Sequence, residues 1–82
     1  MDEKDILLNI GNNIRAERNR LRLSQEELAE RIGINVRNLG QIERGQANPK
    51  ITTVISILEA LNIPFDALPT NATNYKEIKM RY

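Results

Sequence analysis

Apolar side chains recur every three or four residues along most of this chain, which is the spacing of one face of an α-helix. A first helix of roughly 15 residues is expected to follow a polar segment at 1–5, and its apolar positions are Ile6, Ile10, Ile14 and Leu21. Similar spacing predicts three further helices before residue 62, and Pro64 is placed to begin a short fifth helix that Pro69 ends. No segment shows the strict alternation of a strand. The pattern therefore predicts an all-α protein of five helices.

The segment between the first and fourth helices predicts two short helices joined by a tight turn. Ser24 and Glu27 form a capping-box pattern, in which each side chain satisfies a free backbone amide at a helix start. Gly33 lies where the first short helix must end with a positive φ, and Asn35 is a favourable N-cap for the next one. Two helices of about eight residues with a turn that contains glycine are typical of the helix-turn-helix motif.

Two residue types are missing altogether: the chain of 82 residues contains no cysteine and no histidine. Disulfides, Cys/His metal sites and any catalytic nucleophile paired with histidine are therefore excluded. Two neighbouring carboxylates, Glu26 and Glu27, do not face each other on a helix and are better explained as charges favoured at a helix N-terminus. The composition thus favours a protein that is not an enzyme and that needs no metal or cofactor.

The charge balance is nearly neutral, with 12 basic and 11 acidic residues and a net charge of +1. Four arginines nevertheless lie within residues 15–22, and a local basic face is compatible with a specific duplex binder. The acidic start of the chain is not followed by an apolar stretch, so we expect no signal peptide. No apolar run approaches the length of a membrane span. We therefore expect a cytoplasmic protein without membrane contact.

Polar side chains make up most of the outward face of the motif's second helix. Once Leu39 and Ile42 are assigned to the core, the remaining residues are Asn35, Val36, Arg37, Asn38, Gly40, Gln41 and Arg44. Arginine forms paired hydrogen bonds with guanine, asparagine and glutamine do so with adenine, and valine can touch the methyl group of thymine. The missing side chain at Gly40 would let the helix lie close to a duplex. This face predicts contact with DNA bases, although each polar side chain taken alone is also typical of a solvated surface.

Three segments together resemble the Cro/repressor-type helix-turn-helix family of bacteria and phages, also called the xenobiotic-response-element family. They are IGNNIRAERNRLRLSQEELAERIGI, LGQIERGQANPKITTVISILEAL and IPFDAL, and the resemblance spans residues 10–68, about 70% of the chain. The SQEELA start, the IERG end of the third helix and the NP that follows are specific as a set. The resemblance implies a compact five-helix, lambda-repressor-like DNA-binding domain at residues 1–69, with the motif at about 24–44. Residues 70–82 are then a C-terminal tail, either disordered or part of a dimer contact.

The resemblance also implies roles for individual positions. The base-reading positions correspond to Val36, Arg37, Asn38 and Gln41. The phosphate-contacting positions correspond to Gln25, Arg44, Gln46, Asn48 and Lys50. Arg18 and Glu43 correspond to a partly buried ion pair between the first and third helices. We therefore expect Glu43 to orient the third helix rather than to touch DNA.

Two positions depart from the family pattern. Val36 and Gly40 stand where members of the family often carry arginine or serine. Base recognition is therefore expected to depend on Arg37 and Gln41. Asn38 is expected to contact either the DNA backbone or a base edge. The preferred DNA site cannot be inferred from relatives.

The resemblance implies a transcriptional regulator that binds a palindromic operator in double-stranded DNA as a homodimer, with no small-molecule ligand evident. The dimer candidates are Ile55, Phe65 and Leu68, although Phe65 and Leu68 are equally suited to closing the core. The alternative function is that of an antitoxin or a protein-interaction adaptor with the same fold. Phage regulators, antitoxins and restriction–modification controllers share these features, and the sequence does not choose among them.

Overall fold

The structure, a computed structural model, describes residues 2–64, and within that range the chain forms four helices and no strand. The helices are α1 (Glu3–Arg20), α2 (Gln25–Ile32), α3 (Val36–Glu43) and α4 (Ile51–Leu61). The all-α prediction is confirmed over these residues. The predicted fifth helix, the tail at 70–82 and the dimer candidates Phe65 and Leu68 lie outside the described residues.

Local capping groups fix the ends of the two short helices where the sequence predicts them. The Ser24 hydroxyl accepts a hydrogen bond from the Glu27 amide at 3.0 Å, and the Glu27 carboxylate accepts one from the Ser24 amide at 2.9 Å. Gly33 ends α2 with φ +76°, and the Asn35 side chain accepts from the Asn38 amide at 2.7 Å to begin α3. These contacts satisfy amides that a helix start leaves without backbone partners. Asn62 ends α4 with φ +58°, as its capping tendency indicates.

Helix α1 begins earlier than expected, because residues 3–5 already belong to it. The Asp2 carboxylate accepts a hydrogen bond from the Asp5 amide at 2.9 Å, so Asp2 is the N-cap. Glu3 and Asp5 lie in the first turn, where negative charge interacts favourably with the helix dipole. The prediction that residues 1–5 precede the first helix was therefore wrong over residues 2–5, because the acidic side chains of this segment stabilise the start of α1.

The core is aliphatic and receives side chains from all four helices. Its buried members are Ile14, Leu23, Leu28, Ala29, Leu39, Ile42, Ile57 and Leu61. Helix α3 packs against both α1 and α2, and α4 packs against α2 and α1 on the other side. Because the inward face of α3 is held by two helices, its opposite face is the one presented to solvent.

Glycine at two positions allows the end of α3 to lie directly on α1. A Cβ atom added at Gly11 would stand 2.5 Å from the carbonyl oxygens of both Ile42 and Glu43. A Cβ atom at Gly45, whose φ is +71°, would stand 2.9 Å from the Leu8 side chain. The close approach of α3 to α1 at Gly11 offsets the weak helix propensity of glycine.

Over residues 2–64, neither a membrane-crossing helix nor a metal site is found. Each helix in that range is too short or too polar to span a bilayer. The acidic side chains of the same range do not form a group that could hold a metal ion.

Candidate nucleic-acid interface

The first turn of α3 stands out from the body of the protein. Val36, Arg37 and Asn38 are exposed, and Gln41, one turn further along, is half-buried. Val36 keeps 39% of its surface exposed, so its side chain is accessible to a ligand. The structure therefore brings the four predicted base-reading residues to one accessible side of α3.

Gly40 does not belong to the exposed surface where the sequence analysis placed it. It is buried, because the long side chain of Arg44 covers it. A Cβ atom at Gly40 would stand 3.1 Å from Nη1 of Arg44 and 3.8 Å from Oε1 of Gln25. The Arg44 guanidinium therefore lies over Gly40 in this structure, and the expectation that Gly40 lets the helix lie close to a duplex stays a prediction.

A second contact holds the Arg44 side chain in this position. Its Nε atom donates a hydrogen bond to Oε1 of Gln46 at 3.0 Å. Arg44 is nevertheless exposed, and within the described residues the Nη groups of its guanidinium have no hydrogen-bond partner. Two of the predicted phosphate-contacting residues thus contact each other at the end of α3, and Nη1 of Arg44 lies over Gly40.

A surface pocket of about 340 Å³ lies between α3 and the start of α4. Ile42, Ala47 and Pro49 are its apolar lining residues, and Asn38, Asn48, Lys50 and Thr53 are its polar ones. Two predicted phosphate-contacting residues, Asn48 and Lys50, therefore share a concave surface with Asn38. This placement favours a backbone contact for Asn38 over a base contact.

The C-terminal end of α3 is held by a buried carboxylate that accepts three hydrogen bonds. Glu43 is 1% exposed and accepts from Nε and Nη2 of Arg18 at 2.8 and 3.1 Å. It also accepts from Nε2 of Gln25 at 3.0 Å, while Nη1 of Arg18 donates to the Leu23 carbonyl at 2.8 Å. A paired geometry of this kind is the arrangement in which a buried charge is tolerated. The network joins α1, the start of α2 and the end of α3.

The exposed charges of α3 and of the loop after it are positive, and one exposed acid, Glu3 at the start of α1, contacts this loop at Asn48. Between residues 33 and 50 the chain carries Arg37, Arg44 and Lys50 and one acid, Glu43. Because Glu43 is buried against Arg18, it presents no negative charge to a ligand. The first turns of α1 and α2 carry acids instead. A face with this charge suits a polyanion that approaches α3 and the loop after it.

Two residues of this surface, Thr53 and Glu3, and the contact that Gln25 makes with Glu43 were not found from the sequence. Thr53 lines the pocket of Asn48 and Lys50, and Gln25 is tied to Glu43 across 18 positions of the chain. Glu3, at the start of α1, accepts a hydrogen bond from Nδ2 of Asn48 at 3.3 Å. Thr53 follows Lys50 by three residues on one helical face, which is a spacing that could have revealed it. The other two contacts depend on tertiary packing.

A separate apolar surface lies on the outer side of α4. Ile51 and Ile55, one helical turn apart, are 58% and 44% exposed. Ile55 was the dimer candidate within the described residues, and the structure places it at the surface rather than in the core.

Comparisons with known proteins agree with this geometry. The helix-turn-helix family model HTH_3 matches residues 14–68. The chain is 40% identical over 70 residues to the control protein C.SmaI of Serratia marcescens, covering 85% of this chain and 80% of that protein. It is 32% identical over 75 residues to the immunity repressor protein of Bacillus phage phi105, covering 92% of this chain but only 52% of that repressor.

Solved structures give the same result. The crystal structure of the restriction-modification controller protein C.AhdI from Aeromonas hydrophila matches with a TM-score of 0.73 at 33% identity, over 78% of this chain and 93% of that one. An HTH_3 family transcriptional regulator from Vibrio cholerae matches with a TM-score of 0.75 at 31% identity, but the match spans only 38% of that chain. These relatives are regulators and not enzymes. The chain therefore belongs to the Cro/repressor-type helix-turn-helix family of DNA-binding transcriptional regulators.

Proposed function

We propose that this regulator binds a palindromic operator as a homodimer, with α3 of each protomer in the major groove. The observation that carries the proposal is the outward face of α3, where the predicted base-reading side chains lie beside exposed cations and the one acid of α3 is buried. Helices of this kind read base edges in the major groove while neighbouring elements contact the phosphates.

The geometry supports a division of labour within the interface. Arg37 and Gln41 carry the donors and acceptors that distinguish bases, and Val36 offers an apolar contact to a thymine methyl group. Arg44 and Lys50, at the end of α3 and in the loop after it, are placed for the phosphate backbone. Phosphate contacts position a protein on the duplex without carrying sequence information, whereas base contacts specify the site.

Within this function, we favour a controller of a restriction–modification system over a phage repressor. One relative and one solved structure whose names contain "control" or "controller" match over most of both chains. The phage immunity repressor is matched over only half of its length. Similarity in size as well as in sequence is what supports this narrower assignment.

The proposal is tested by selecting duplexes from a random pool and then measuring binding of the selected site by fluorescence anisotropy across salt concentrations. A two-fold symmetric consensus, a stoichiometry of two protomers per site and affinity that falls with salt are expected. A chain that selects no sequence, and instead co-purifies with a protein partner, would support the antitoxin or adaptor alternative.

Two arginine variants separate base recognition from phosphate contact. Arg37→Ala is expected to cost about 1–3 kcal/mol at the selected site and to relax the preference at one base pair. Arg44→Ala is expected to weaken all duplexes alike and to lower the slope of log K against log salt by about one. The roles assigned here are wrong if Arg37→Ala leaves both affinity and sequence preference unchanged.

A further inference from the structure

We propose that Gly40 is a positioning residue of the DNA interface, because its missing side chain provides a seat for the guanidinium of Arg44. The seat holds that guanidinium in place before DNA binds. This inference rests on the proposed DNA-binding function and adds to it a residue that acts through another side chain and not through its own contact with DNA.

The first part of the argument is geometric. Residues 40 and 44 are one turn apart on the same helical face, so the long side chain of Arg44 can lie back over Gly40. Gly40 is buried, and its would-be Cβ lies 3.1 Å from Nη1 and 3.9 Å from Cζ of Arg44. The separation from Cζ is an ordinary contact, but the separation from Nη1 is tighter than Cβ atoms usually show, so a methyl group at position 40 would displace the guanidinium of Arg44 by a few tenths of an ångström.

The second part concerns which N–H groups of the Arg44 guanidinium are already hydrogen-bonded. Gln46 accepts from Nε of Arg44 at 3.0 Å, so one edge of the guanidinium is fixed by the loop and one face by the seat. A guanidinium has five N–H donors in a planar fork, and only the Nε donor is used by Gln46. The Nη donors remain available on an exposed residue. They are the group that pairs with two phosphate oxygens.

The third part is the cost of ordering a flexible side chain. A free arginine loses rotamer freedom when it docks on a phosphate, and that loss weakens binding. An arginine that is already held between Gly40 and Gln46 has lost much of that freedom on folding. The seat therefore increases affinity mainly by slowing dissociation, since the pre-organised contact is broken less often.

The test measures operator binding for the wild type, Gly40→Ala, Arg44→Ala and the double variant. Gly40→Ala is expected to weaken binding about two- to tenfold, which corresponds to ordering one long side chain. In the Arg44→Ala background the same substitution is expected to change affinity by less than about 1.5-fold, because no guanidinium is left to displace. In an Arg37→Ala background its full effect should persist, because Arg37 does not lie on the seat.

Folding does not confound this comparison. Alanine has a higher helix propensity than glycine, and the nearest atom to the new methyl group is the far end of a flexible side chain. The melting temperature of Gly40→Ala should therefore equal or exceed that of the wild type while its affinity falls. Opposite changes in stability and affinity are not expected of a purely structural glycine.

A measurement without DNA separates this inference from the proposed function. Nitrogen-15 relaxation of the Arg44 Nε–H group should show an ordered side chain in the wild type and a more mobile one in Gly40→Ala. Equal mobility in both proteins overturns the seat, whether or not any duplex binds. Equal loss of affinity with and without Arg44 also overturns it, because the methyl group would then be contacting DNA directly.

Discussion

A glutamate side chain serves two different purposes in this protein, according to where it lies. Glu43 is buried and holds α3 through three charge-assisted hydrogen bonds. Glu27 is fully exposed, yet it is engaged in the reciprocal cap with Ser24 at the start of α2. Hydrogen bonds from Ser24 lower the pKa of Glu27 below its ordinary value of 4.5. The exposed carboxylate of Glu27 therefore has an effect on stability that depends on pH.

The pH dependence of folding at Glu27 has a definite sign. The pKa of Glu27 is lower in the folded chain than in the unfolded chain. At pH values between these two pKa values, the unfolded chain therefore binds more protons than the folded chain, and the free energy of unfolding rises with pH. The contribution is present above pH 4.5 and is lost as the pH falls through the lowered folded pKa. Glu27→Gln keeps the capping-box geometry but removes the titration.

Urea denaturation between pH 3 and 7 checks this expectation. We expect the wild type to lose more stability than Glu27→Gln as the pH falls below about 4.5, the ordinary pKa of the carboxyl group. Glu26→Gln, a neighbouring acid without a cap partner, serves as the control and should retain the steeper wild-type dependence. Identical pH profiles for wild type and Glu27→Gln would show that the cap does not favour the charged form.

At the scale of elements, the contact between α1 and α3 decides how the interface is presented. Gly11 lets the last carbonyls of α3 rest on α1, and the Arg18–Glu43 pair ties the same helices together. Gln25 adds the start of α2 to that joint. Because three helices converge at the end of α3, the direction of its exposed face is set by packing and not by α3 itself.

Substitution of two arginines of α1 tests how much the contact between α1 and α3 contributes to stability. Arg18→Ala leaves Glu43 buried without its main partner, so we expect a loss of about 3–5 kcal/mol in the free energy of unfolding. Arg20→Ala removes a shorter contact, 2.6 Å to Glu17, but both side chains are substantially exposed. That variant should cost less than about 1 kcal/mol, since solvent screens the pair. Chemical denaturation of both variants measures the difference, and similar losses would mean that the joint is not strongly coupled.

The parts of the fold that sequence predicts well are those set by neighbours along the chain. The Ser24–Glu27 box, the positive φ at Gly33 and the Asn35 cap each require only residues within one turn, and all were predicted. The start of α1 was missed although Asp2 is also a local cap, because charged residues before an apolar stripe resemble an unfolded end. The burial of Gly40 could not be predicted, because it depends on the conformation that the Arg44 side chain adopts.

The candidate site divides in the same way. Exposure of Val36, Arg37 and Asn38 follows from helical periodicity once Leu39 and Ile42 are assigned to the core. The pocket shared by Asn38 and the loop after α3 requires the crossing of α3 and α4, which periodicity does not give. The sequence therefore predicted which residues of α3 are exposed. Only the tertiary structure shows which of them share a pocket with the loop after α3.

At the scale of the whole molecule, two surfaces have different chemistry. The face built from α3 and the loop after it is positive and polar. The outer side of α4 instead exposes Ile51 and Ile55. One domain offers few base contacts, and the proposed dimer would add a second set on an adjacent half-site. An apolar patch on a helix outside the DNA face is a suitable place for a two-fold contact, in which each protomer presents the same surface.

Ile55→Glu is expected to separate the proposed dimer, because a two-fold contact at this patch would then bury two unpaired carboxylates that face each other. Sedimentation equilibrium should show a monomer, and affinity for the full operator should fall by about 10²–10⁴-fold as the linkage between half-sites is lost. Affinity for a single half-site should hardly change. Ala16→Glu, which adds the same charge at an exposed position of α1, should remain dimeric. If Ile55→Glu also remains dimeric at the same concentration, the two-fold contact lies on another surface.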